Sequence, residues 1–161
     1  DGHGNAVALW ITGYQFPDAV DPRQRFSWHM VSGEASCGDG SWSFSGPVLT
    51  CDETPDVSRW LRVVADWVSD DRSRLNPTAL PPELTFTEPN LALRVGDAAS
   101  EAVTIHVDLD YEFTPPWDRH AYAGDPFRVS VRAEAEQLRR AADEWDAEAA
   151  PYPDRDAPSE S

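Results

Sequence analysis

Lysine is missing from this chain. All 13 basic residues among the 161 are arginine, set against 29 aspartates and glutamates, for a formal net charge of −16. Without a lysine amine there is no Schiff-base chemistry, no amine nucleophile and no phosphate-loop lysine. Arginine as the sole basic residue also suits a GC-rich genome, a coding bias with no functional content. An acidic field of this size repels phosphate backbones and anionic lipid. It argues against nucleic-acid and membrane partners, and leaves open a basic protein partner or a charge that serves only solubility.

Long apolar runs are missing as well, since none approaches the ~20 residues needed to cross a bilayer. Cysteine is scarce: Cys37 and Cys51 are the only two. The stretch "SCGDGSW" reads as a hairpin turn at Gly38-Asp39-Gly40, with Cys37 ending one strand and Cys51 beyond the far end of the next. At ~3.3 Å per residue the thiols then lie well beyond the ~7 Å Cα limit of a disulfide. Free thiols and a reducing, cytoplasmic setting are expected, unless the second strand folds back at Gly46-Pro47. No charged-then-apolar secretion signal stands at the start, although a first residue Asp1 leaves a removed leader open.

The usual chemical signatures are absent too. His3, His29, His106 and His120 are scattered, with neither an H-E-x-x-H nor a C-x-x-C pattern, so no metal site is expected. "GSWSFSG" lacks the G-x-S-x-G elbow and "GDGS" reads as a turn rather than a phosphate loop. No catalytic residue and no cofactor are predicted.

What is present is patterned. "VALWITGYQF" (7–16), "RFSWHMVSGEAS" (25–36) and "SWSFSGPVLT" (41–50) read as an antiparallel start of three strands. Helix one opens at Thr54 as N-cap with Pro55 behind it; Val57, Trp60, Leu61, Val64, Trp67 and Val68 then form one apolar stripe to about Ser69. "ELTFTEP" and "NLALRVG" are two short strands around a corner at Glu88-Pro89-Asn90. In "EAVTIHVDLDYEF" the apolar residues Val103 to Phe113 alternate with Thr104, His106, Asp108, Asp110 and Glu112. "PFRVSVRA" alternates again, with Arg128 and Arg132 outward, and a second helix covers 134–149 through Leu138, Ala142 and Trp145. The expectation is an α+β domain over 1–149: a twisted, mostly antiparallel sheet of about seven strands with two packed helices. A disordered or loosely docked acidic tail follows over 150–161.

Asp108, Asp110 and Glu112 stand ~7 Å apart along an extended strand, a separation that glycosidase carboxylate pairs also show. Any wet strand with acids shows it too, and Arg128 and Arg132 on the next strand would lie opposite, so a solvated face is the better reading. Of the seven tryptophans, Trp60, Trp67 and Trp145 fall on buried stripes. Trp117 follows two prolines in a loop, where it serves either as an interface anchor or as a cover for the sheet edge.

The order of segments, with "FTEPNLAL" followed by an acidic strand into "PPW" and a closing "LRRAADEW" helix, resembles the WapI family of small bacterial immunity proteins over roughly residues 25–149. That resemblance implies a non-enzymatic cytoplasmic protein that binds and neutralises a polymorphic toxin, for that family a tRNA-cleaving nuclease domain. The charge of −16 suits a basic partner. Candidate contacts are Asp108, Asp110, Glu112, Trp117, Arg119 and His120. The alternative is a structural or accessory subunit of a larger secreted or phage-like assembly. Oligomeric state is not legible.

Overall fold

The computed structural model describes residues 4–21, 28–70, 76, 79–99, 102–118 and 125–154. Among these residues, seven strands and two helices give the expected α+β fold. The strands divide into two antiparallel sheets. The first, ordered β1-β2-β3, holds Ala6–Tyr14, Trp28–Cys37 and Gly40–Thr50. The second, ordered β4-β5-β6-β7, holds Leu84–Thr85, Leu91–Ala99, Ala102–Leu109 and Phe127–Glu134. Helix α1 spans Thr54–Ser69 and α2 spans Ala135–Ala149.

One core joins them all. Ile11, Val31 and Phe44 from the first sheet, Val64 and Trp67 from α1, Ile105 and Val129 from the second sheet, and Leu138 and Trp145 from α2 belong to a single buried cluster. The tryptophans are fixed by their indole N–H groups as well as by burial, which is what a buried indole needs. Trp60 donates to Pro82 O at 2.6 Å, Trp145 to Thr54 O at 2.8 Å and Trp42 to Phe113 O at 2.8 Å. Along the helix pair Arg62 meets Asp143 and Asp146, while Asp66 meets Arg139; the reversed order shows that α1 and α2 run antiparallel.

The reversal at Gly38-Asp39 is confirmed, with Cys37 opposite Gly40 and Trp28 opposite Thr50 at the far end. Both cysteines are free. Pro47 is tolerated because β3 is an edge strand, and the ladder absorbs it in a bulge opposite His29 and Met30.

Two local expectations need correction. Thr54 is the first helical residue of α1 and Glu53 its N-cap, because the Thr54 hydroxyl donates back to Thr50 O at 3.1 Å and meets His29 Nδ1 at 2.7 Å. The strand through 103–113 ends at Leu109. There the Asp110 carboxylate accepts the N–H of Tyr111 and starts a short 3₁₀ turn, Tyr111–Phe113. At the other end of the chain the first residues of the expected tail are docked: Tyr152 packs edge-on against Tyr14, whose hydroxyl donates to Pro153 O at 2.7 Å. No helix among the described residues is long and apolar enough to cross a membrane.

Candidate protein-binding site

The three carboxylates expected on one wet strand face have three different fates. Asp108 is only 2% exposed, because two arginines from the neighbouring strands close over it. Arg128, its register partner on β7, donates from Nε to Oδ1 at 2.6 Å and from Nη2 to Oδ2 at 2.8 Å. Arg94 on β5 brings its Nε within 2.9 Å of Oδ2, an ion-pair distance without hydrogen-bond alignment, while its Nη2 reaches Glu83 at 2.8 Å. The expected Asp108–Arg128 pairing is therefore present, but as a bidentate clamp of the kind only arginine makes. Arg132 lies opposite Thr104 in the ladder rather than opposite an acid. Next to the clamp, His106 Nδ1 makes a cross-strand hydrogen bond with Ser130 Oγ at 2.8 Å. Partial burial and the positive Arg128 together lower the His106 pKa.

Asp110 and Glu112 belong to a compact knuckle that replaces the end of the predicted strand. Asp110 N donates to Asn90 O at 3.0 Å, and Asn90 Nδ2 donates to Glu112 Oε2 at 2.7 Å. Inside the knuckle Phe113 N returns to Asp110 O at 3.0 Å, and the Thr114 hydroxyl donates to Tyr111 O at 2.8 Å. Tyr111 adopts φ +51°, a left-handed conformation that non-glycine residues rarely occupy. This turns Tyr111 outward to 40% exposure, instead of inward as alternation predicts. Phe113 goes the other way: it is fully buried, 4.4 Å centroid to centroid from Phe44. Pro115 is buried beside it.

Trp117 takes the covering role, one of the two alternatives expected of it. Its ring packs edge-on against Trp42 at 5.5 Å, and Trp42 in turn packs edge-on against Phe127 at 5.3 Å. The far rim of the indole covers the β2–β3 turn at Gly40, where φ is +148° and a Cβ would come within 2.9 Å of the ring. Even so, 38% of Trp117 stays in solvent. Arg119 and His120 lie outside the described residues.

The "FTEPN" motif explains how the knuckle is placed. Thr87 gives both its N–H and its hydroxyl to Glu53 Oε1 at 2.7 Å, and Thr50 N gives to Glu53 Oε2 at 2.9 Å, which ties the β4–β5 corner to the entry of α1. Partial burial would raise the Glu53 pKa, yet these hydrogen bonds outweigh it and hold the carboxyl below its usual range. Asn90 then ties the same corner to the knuckle. The residues that sequence reasoning missed are Tyr111, Glu53 and Asn90. Two prolines within six residues of Asp110 were the available sign that the strand stops early.

A second polar centre lies inside the core. His29 is 2% exposed, bonded to Thr54 Oγ1 and 3.5 Å from Cys51 Sγ, with its ring against Tyr14. Burial lowers its pKa, opposed in part by the Tyr152 backbone and Asp154. Among the described residues, no group of three or more His, Cys, Asp or Glu is placed to hold a metal ion.

The arrangement thus consists of two exposed aromatic residues, Tyr111 and Trp117, and two carboxylates, Asp110 and Glu112, carried on one short segment that follows the arginine-clamped Asp108. No curated protein matches the chain. Its residues 1–153 match the family described as Immunity protein WapI-like, and the chain belongs to that family of immunity proteins.

Proposed function

We propose that the protein acts without chemistry of its own, by binding a basic toxin domain through the knuckle at 110–118 and masking the toxin's working surface. Membership of an immunity family supports a protein partner, and the net charge of −16 favours a basic one through steering and complementarity. A nuclease domain is the natural example, since its nucleic-acid site is itself basic. The observation that carries the reading is the pairing of two outward aromatic rings, Tyr111 at 40% and Trp117 at 38% exposure, with Asp110 and Glu112 on a base locked by buried Phe113 and Pro115. Aromatic faces beside carboxylates suit arginine and lysine, by cation–π contact and charge-assisted hydrogen bonds. A preorganised base keeps the ordering cost of binding low. Arg119 and His120 adjoin Trp117 in sequence and belong to the same proposed contact. Asp108 belongs to the support beneath it, not to the contact. The place of action is the cytoplasm, where an incoming toxin would reach its target.

The test is the affinity of purified variants for any polymorphic-toxin domain encoded next to the gene, together with protection of cells that express that domain. Trp117→Ala combined with Asp110→Lys and Glu112→Lys should weaken binding by at least about 30-fold, the loss of one central hot spot, and abolish protection. Unchanged affinity and protection would sink the proposal.

A further inference from the structure

At the end of β7 away from the knuckle, an apolar cavity of about 430 Å³ opens between β1, β7 and the two helices. Its walls include Val7, Leu9, Leu61, Val131 and Ala133, all only half-buried, so water reaches a surface that the core leaves uncovered. The volume lies in the range of pockets that enclose a ligand or a large side chain, ~300–1,000 Å³. Its mouth is polar and mixed: Arg132 stands on β7, while Gln137, Glu144 and Glu148 line the α2 side. Glu144 and Glu148 are one helical turn apart, exposed, and without an ion-pair partner among the described residues. Like charges at this spacing destabilise a helix, and an incoming cation would relieve them.

We propose that this groove is a second docking site for the basic toxin domain, one that takes a bulky apolar side chain flanked by lysine or arginine. The inference rests on the immunity reading. Charge selects this occupant from the alternatives. Two copies of the chain would bring two surfaces of net charge −16 together, with the same carboxylates repeated across any twofold axis. A fatty acid would set its own carboxylate among Glu144, Glu148 and Arg132, two like charges against one opposite. An apolar side chain between cations satisfies both wall and rim.

Ala141→Trp tests the groove by filling it, since Ala141 lines the cavity from the exposed side of α2. Glu144→Lys with Glu148→Lys tests the rim without touching the core, and stands in should the tryptophan variant fail to fold. Binding of each to any polymorphic-toxin domain encoded next to the gene, purified and measured by calorimetry, should weaken about tenfold or more. The loss should add to that of Trp117→Ala, because the two surfaces share no residue. If Trp117→Ala weakens binding while the groove variants bind like the unaltered protein, the groove proposal fails and the immunity reading stands. If the unaltered protein does not bind the domain, both fail. If sedimentation shows a dimer that Ala141→Trp dissolves, the occupant is a second copy and the proposal is overturned.

Discussion

The outer faces of the two sheets are built on opposite principles. On β1-β2-β3 the outward residues are uncharged for the most part: Ser32, Ser43, Ser45 and Thr12, joined on the same face by half-buried Trp10, Trp28 and Met30, with Glu34 as the lone acid of the β2 row and the Ser32 and Ser45 hydroxyls 2.9 Å apart across the ladder. On β4-β5-β6-β7 the outward residues are a string of charges, Glu83–Arg94–Asp108–Arg128, closed over a buried aspartate. One face therefore holds its strands without an ion pair among the described residues, adding only hydroxyl contacts to backbone and core. The other adds a cross-strand electrostatic tie in the layer just below the knuckle. A mutation on the first face should be silent, whereas the same kind of mutation on the second should reach the fold.

Asp108→Ala is the largest break in that contrast. It removes the shared acceptor of Arg94 and Arg128, and a pair broken on one side costs more than the pair contributes. The arginines are 43% and 45% exposed and rehydrate in part, so the expected loss is about 2–3 kcal/mol rather than the full buried-pair value. Urea midpoints at constant slope would measure it. A loss within ~0.5 kcal/mol, the size of an ordinary surface change, would show that the clamp is decorative.

Inside the first sheet stability depends on fit instead. A Cβ on Gly33 would meet the Phe44 ring at 2.5 Å and Ala8 O at 2.8 Å. Phe44 is buried against Phe113, and Ala8 O is backbone, so neither yields easily. Gly33→Ala should cost about 1–3 kcal/mol, the usual range for overpacking, and chemical denaturation is again the check. An unchanged midpoint would mean that the core behind the serine face can shift.

This contrast was only partly legible in the sequence. Helical stripes and strand alternation are local, and α1, α2 and the seven strands follow from them. The division into two sheets depends on which edges remain unpaired, a long-range property that alternation does not encode. The same limit explains Asp108. Its outward parity was readable, but its burial depends on arginines from two other strands, of which only Arg128 was anticipated. Tyr111 was misread because one left-handed residue reverses inside and outside, while Trp117 was singled out because prolines flag a loop. The motif "FTEPN" serves as attachment, through Thr87 and Asn90.

Each sheet also carries one histidine whose pKa is lowered, His29 by deep burial and His106 by partial burial and Arg128. The unfolded chain takes up these protons at its ordinary pKa, near ~6.5, and the folded chain only at lower pH. Stability is therefore full above that value and declines as pH falls below it. Glu53, held below its usual range, extends the decline further into acid. Urea midpoints between pH 7.5 and 5 should fall, and His29→Gln should flatten that slope more than His106→Gln, because His29 is the more buried. Equal slopes in the two variants would assign the acid sensitivity elsewhere.

The smallest effect is the sharpest test of the contrast. Ser32→Ala with Ser45→Ala deletes the hydroxyl pair on the first sheet's outer face. Both groups are hydrated in the unfolded chain and at least partly so in the folded one, so their bond replaces water contacts of similar worth. The double variant should remain within about 0.5 kcal/mol of the parent and should bind the toxin domain unchanged, because no proposed contact lies on that face. A measurable loss of binding, with stability intact, would move the interface from the knuckle to the serine face; a loss of stability alone would show that this face, too, is held by its side chains.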